Sequence, residues 1–533
     1  MIYNPQEEFD SKLKELHADH VRSFFEELVR RSGVVPAENQ KTVKEYYSSS
    51  ESLRKLKRKL GWLKVLRVIL CITILLIPVV IFLLNPKIKA LRAAVEQAEK
   101  RVQELLAKAW RQMQPLNELF TDDDALRIME KTVPQLSFAP CFSAEQESDM
   151  RTNYDFGEVD SIERSAADVL AGHYNDTPFL FERRLIHRMG TQDYHGFLTI
   201  SWTETYRDKD GRIRTRVRTQ TLHATVVKPK PFYSYQTILH YCAQGGPELS
   251  FSRTDTKLEN KSERGIERYV KRGERKLKKK TDKAIRKNED FVSMSNTEFE
   301  VLFGALDRDH EVQFRSLFTP LAQTNMVDLI LAESGYQDDF HFIKRKRANQ
   351  IISEHAQGRP VKLYADQFRS FDFDVIKTAF QEKNAEFFRS VYFDFAPLWA
   401  IPAYQERPVH SLKPLPDGYA SYASKEHEAV ANAGDARHFA HPASKTQSIL
   451  KARFVSSREG ADRIAVHAYS YDIAKRVAVI PVLGGDGRMH GVPVPWDEYL
   501  PLEAQNTFFV GKEDGQAQGK QVIARHNGLC IYQ

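Results

Sequence analysis

Histidines near the C-terminal end of the chain are the residues whose types and spacing best suit chemistry: His438, His441, His467 and His490, with Asp486 among them. Imidazole exchanges protons near neutral pH and is a common metal ligand, so this cluster is the candidate centre of a hydrolase. His438 and His441, in HFAHP, are three residues apart and would share a helix face, but Pro442 biases the residue before it toward extended backbone. His427-Glu428 opens the pattern in which two histidines on one helix turn hold zinc, yet Ala431 stands where the second ligand belongs. Asp338-Asp339 beside His341 is an acid–base pair in principle and, in the ordinary reading, a capped junction. No Gly-Lys-Ser/Thr loop is present to cradle phosphate. The glycines around Gly484 fall in a hairpin turn, where dinucleotide binding needs a strand-to-helix turn. No serine sits in a Gly-x-Ser-x-Gly elbow. No cofactor or metal set is read from these residues. The first expectation is a scaffold or binding protein, with the histidine hydrolase as the alternative.

Charge offers a sharper candidate. From Lys257 to Lys287 there are fourteen Lys/Arg against five Asp/Glu, while the whole chain carries only +7, so the basicity is concentrated in one place. The spacing predicts one helix over 256–289 with a thin stripe of Ile266, Val270, Gly273, Leu277 and Thr281. Arg272, Arg275, Lys276, Lys278, Lys279, Lys280 and Lys283 are the expected contacts for an anionic partner, either lipid headgroups or nucleic acid. The competing reading is a solvated face that maintains solubility. Lys344-Arg345-Lys346-Arg347 would extend the patch if folding brings it near. Arg212, Arg214, Arg216 and Arg218 alternate along a strand, so all four leave one face. Such a ladder could receive phosphate or carboxylate, or simply discourage edge pairing.

The elements that must carry these residues read as an α+β protein anchored in a membrane. Val68 to Leu84 is apolar throughout, and 62–85 is long enough for one transmembrane helix, with Lys64, Arg67, Lys87 and Lys89 at headgroup depth. A hairpin dipping into the membrane and broken at Pro78 is the competing reading. Residues 1–61 form a charged helical region whose face runs Phe9, Leu13, Leu16, His20 or Val21, Phe24 and Leu28, stopped by Gly33. A heptad helix over 86–114 places Ile88, Val95, Val102 and Ala109 with Leu91, Ala98 and Leu105, to pair within the chain or in a homodimer, and Pro115 should end it. A mixed region follows over 115–255, with a hairpin of Gly196–Arg207 and Arg212–Val227 around Asp208-Lys209-Asp210-Gly211. Pro229 and Pro231 should close its second arm. Beyond the basic helix come a mainly helical region at 290–405, a linker or long loop at 406–450 and a β-rich region at 451–533. The flanking charges are too evenly split to fix the side of the large domain. The scattered Cys141, Cys242 and Cys530, without metal spacing, lean it to the cytoplasm. The aromatic content, 11%, argues against general disorder.

Three stretches, FHFIKRKRANQIISEH (340–355), PLWAIPAYQ (397–405) and VPVPWDEY (492–499), resemble an uncharacterised family of bacterial single-pass membrane proteins. The resemblance runs from the apolar segment to the C-terminal end. It implies a bacterial cell membrane, with no activity and no catalytic residues.

Overall fold

The computed structural model describes residues 2–72, 84–157, 161–258, 261–287, 291–331, 339–408, 421–458, 460–512, 521–526 and 528–532. These group into two compact units. A helical unit comprises Gln6–Leu136 and Lys362–Phe393, and a sheet unit holds Met1–Pro5, Ser137–Val361 and Asp394–Gln533.

In the helical unit, helix Lys14–Ser32 ends where Gly33 takes a left-handed conformation and donates to the Arg30 carbonyl, as the glycine stop predicts. Its buried face runs Phe9, Leu13, His17, Val21, Phe25 and Leu28, one residue out of step with the expected face at Leu16 and Phe24. The partners are aromatic. His17 stacks on Phe388 at 4.0 Å, and Phe25 and Phe120 meet Phe380 at 5.4 and 5.6 Å. The second piece of this unit therefore supplies the core for the first.

The membrane reading is corrected here. Helix Pro36–Ile72 and helix Asn85–Asn117 pack against each other, Leu53, Leu56, Leu60, Leu63, Leu66 and Leu70 meeting Leu84, Ile88, Leu91 and Val95. Lys57 pairs with Glu99 at 2.8 Å between the two helices. The physical reason lies in the spacing. The leucines recur every three or four residues and so line one face that a neighbouring helix covers, while Lys64 is exposed on another face together with Trp62, Val65, Val68 and Ile69. Among the described residues no helix is long and apolar enough to cross a membrane. That overturns the single-pass anchor, the 62–85 transmembrane helix and the cell-membrane assignment. Residues 73–83 of the expected span lie outside the described residues. The heptad stripe packs within the chain, and its helix runs two residues past Pro115.

The sheet unit is built on two antiparallel sheets. The first contains β1 (Leu136–Phe138), β2 (Arg164–Tyr174), β3 (Thr177–Arg207), β4 (Ile213–Cys242), β5 (Ser250–Arg253), β6 (Phe340–Arg345) and β7 (Ala348–Ser353), in the order β1-β2-β3-β4-β7-β6-β5. The second contains β8 (Ile449–Arg458), β9 (Ala461–Leu483), β10 (Met489–Lys512), β11 (Val522–His526) and β12 (Leu529–Tyr532), in the order β11-β12-β10-β9-β8.

The hairpin at Asp208–Gly211 is far longer than expected, pairing from Arg207↔Ile213 down to Phe179↔Tyr241. Pro229 and Pro231 lie inside β4, opposite Thr191 and Met189. They are tolerated because β4 meets β7 only at Leu239–Cys242, so its outer edge needs no N–H donors at the prolines. Likewise β9 and β10 form one ribbon from Met489↔Leu483 to Gly511↔Ala461. The two ribbons stack face to face through Leu222, Ala224, Val492 and Val494. At Gly196 they approach too closely for a side chain, since a Cβ there would lie 2.2 Å from the Pro493 carbonyl oxygen. The tip of the shorter ribbon ends where Gly485 N donates to Gln220 Oε1 at 2.7 Å.

Two further expectations change. FHFIKRKRANQIIS is the β6–β7 hairpin within a region expected to be mainly helical. The expected linker contains helix Ser424–Asn432, which buries Glu426, His427, Glu428, Ala429, Val430 and Ala431.

Candidate functional site

The basic segment forms helix Glu263–Lys287, about 37 Å long at the standard rise. It is held by a narrow inner edge. Leu277 and Ala284 are buried with Phe291. Gly273 lets the helix approach helix Thr297–Phe303, because a Cβ there would fall 2.2 Å from Val301 Cγ1. That close approach accounts for a glycine in mid-helix, which otherwise costs about 1 kcal/mol. Thr297 Oγ1 donates to Glu274 Oε1 at 3.1 Å. Beneath lies a phenylalanine core in which Phe251 meets Phe303, Phe314, Phe318 and Phe342.

Of the seven expected contacts, Arg272, Arg275, Lys276, Lys278, Lys279 and Lys283 are exposed. Among the described residues, no carboxylate lies within ion-pairing distance of any of them. Lys280 is different and leaves the set. Its ammonium sits 4.1 Å from the Phe291 ring centroid and donates to the Leu306 carbonyl, so it fastens the helix down. Burial, then the nearby Arg308, pulls its pKa below the ordinary lysine range. At 100° per residue, the exposed cations from Arg264 to Lys287 fall within an arc of about 180°, which also holds Gly265, Tyr269 and Asp282.

Several members of the other basic runs are held by partners within the chain. Lys344 is buried, donating to the carbonyls of Gly245 at 2.8 Å and Lys346 at 2.5 Å. Arg347 pairs with Asp155, so 344–347 does not extend the patch as a free run. In the arginine ladder, Arg214 pairs with Asp208, and Arg216 and Arg218 both pair with Glu204.

Of the histidine cluster, the structure pairs only His490 with Asp486 and gives the other three histidines different surroundings. His438 is exposed, His441 accepts from Ala443 N, His467 faces Glu503 at 3.5 Å, and His490 pairs with Asp486 at 3.0 Å. Among the described residues no group of three or more His, Cys, Asp or Glu side chains could hold a metal ion. His427 is fully buried, 3.0 Å from Asp462, while Glu428 pairs with Lys451 at 2.6 Å and accepts from Ala166 N. Asp339 is the counter-ion of the buried Arg253, at 2.6 Å, and Asp338 lies outside the described residues.

Sequence reasoning missed an ion network behind a cleft of about 290 Å³. Glu182 Oε1 accepts from Lys425 at 2.7 Å, and Oε2 accepts from Arg184 and His240, each at 3.1 Å. Burial opposes ionisation of Glu182, yet Lys425, Arg184 and His240 hold it well below the ordinary carboxylate range. Burial wins at Glu428 and pushes it up, with Lys451 pulling against it. The available signal was a charged residue, Glu182, inside the apolar run PFLFERRLI. Compared with family models, curated proteins and solved structures, the chain matches none.

Proposed function

We propose that the chain is a binding protein that grips a linear polyanion, a nucleic-acid backbone, along the outer face of helix Glu263–Lys287. One observation carries this reading: six exposed cations, Arg272, Arg275, Lys276, Lys278, Lys279 and Lys283, have no carboxylate within ion-pairing distance among the described residues, while Leu277 and Ala284 of the same helix are buried with Phe291. Surface insertion into lipid needs an apolar face that this helix does not offer. A row of Lys and Arg about one turn apart instead favours repeated phosphates, read by charge and with little regard to base sequence.

The test reverses four exposed charges together, Arg275→Glu, Lys276→Glu, Lys279→Glu and Lys283→Glu, and leaves the anchoring Lys280 in place. If six phosphates are neutralised, affinity for duplex DNA falls on the order of a thousandfold between 50 and 200 mM salt, and the reversed variant loses most of that slope. Absence of nucleic-acid binding at 50 mM salt, or binding unchanged by the reversal, overturns the proposal. Binding to anionic vesicles in place of nucleic acid would reassign the face to headgroups.

A further inference from the structure

The geometry points to a divalent transition-metal site on the β3–β4 ribbon, formed by His195, His223 and Thr225. His195 Nδ1 lies 3.2 Å from His223 Nε2 and 3.0 Å from Thr225 Oγ1, and the third side of the triangle, Thr225 Oγ1 to His223 Nε2, is 3.5 Å. Ligands held about 2.0–2.1 Å from a tetrahedral zinc ion stand roughly 3.3–3.4 Å apart, so these three atoms mark out one face of such a shell. An ion about 1 Å above their plane meets all three at roughly that bonding distance.

Register explains the convergence. β3 and β4 pair His195 with Thr225 and Phe197 with His223, so all four side chains leave the same face of the ribbon. That face is turned away from the stacked ribbons, and His195, His223 and Thr225 are exposed. The Phe197 ring lies 4.9 Å from the His223 imidazole and walls one side. Asp193 stands one pleat along β3 on the same face, placing negative charge beside the site. Without a metal, one imidazole N–H donates to the other ring's nitrogen; a cation takes the place of that proton and accepts both lone pairs. Imidazole donors select zinc, copper or nickel over magnesium or calcium.

The two histidines belong to different strands, so an ion bound to both is a cross-strand clip. It lies across from Gly196, where the backbone of β10 leaves no room for a side chain. Binding therefore resists separation of β3 from β4 at this point of the arm, because an ion that binds only the folded ribbon stabilises it.

The experiment uses the full chain, stripped with chelator, and zinc alone as the probe. Equilibrium dialysis is run on the parent, on His195→Ala, on His223→Ala and on the double variant, with circular dichroism as a check that these surface changes leave the fold intact. The parent is expected to bind one equivalent more than the double variant, and each single substitution weakens that equivalent at least about tenfold. Zinc is also expected to slow amide exchange of β3 and β4 around residues 193–199 and 221–227 in the parent only. Magnesium gives neither effect. Equal zinc stoichiometry in the parent and the double variant overturns the assignment, as does exchange protection that survives loss of both histidines.

Discussion

Lys344 begins as one of four consecutive basic residues, and the fold takes it out of water. With its ammonium against two carbonyls and 5.4 Å from the Tyr404 ring centroid, burial pulls its pKa down to about 7, and the charge of Arg347 adds to the pull. The unfolded chain keeps the ordinary value near 10.4. Between those two values the unfolded chain holds a proton that the folded chain has released, so stability rises with pH across that window. Denaturation midpoints measured from pH 7 to 10 should climb in the parent and stay flatter in Lys344→Met; parallel profiles would show that Lys344 is charged when folded. The sequence could not show this. KRKR reads as a solvated patch, and only the β6–β7 hairpin, with Lys346 in a left-handed conformation, turns its first member inward.

At the scale of elements, spacing was legible wherever one face of an element meets one neighbour. The basic helix exists but starts seven residues later than the expected 256, and the leucine spacing from Leu53 to Leu70 contained the helix pair, although the apolar length beyond it drew the reading toward a membrane. The ribbon register follows from the turn at Asp208–Gly211, which by counting back places His195 and His223 on one face. Helix Ser424–Asn432 was illegible because it buries His427 and Glu428 against partners far along the chain, Asp462 and Lys451. Strand length was equally hidden, since proline stops a strand only where its N–H would have been needed. The stacked ribbons give their own prediction. Gly196→Val sets a side chain against the backbone of β10, which cannot yield as a flexible side chain would, and overpacking of this kind costs about 1–3 kcal/mol. Thermolysin should then cut between Met189 and Tyr235 several times faster than in the parent, and unchanged cutting would mean the ribbons are held apart already.

At the scale of the whole molecule, neither unit is continuous in sequence. The helical unit is interrupted by the 225 residues from Ser137 to Val361 before its last piece, Lys362–Phe393, arrives. That piece carries Phe380 and Phe388, against which Phe25, Phe120 and His17 pack. The consequence concerns time. A ribosome adding about 5–20 residues per second takes roughly 10–45 s to cross the gap. For that interval the first 136 residues are outside the ribosome with their aromatic faces uncovered, a state prone to aggregation unless a chaperone holds it. Nascent chains arrested with residue 361 just emerged should be cut readily by protease between residues 14 and 132. Those arrested after residue 393 has emerged should resist, and resistance at the earlier point would mean that the first piece folds without waiting for its partner.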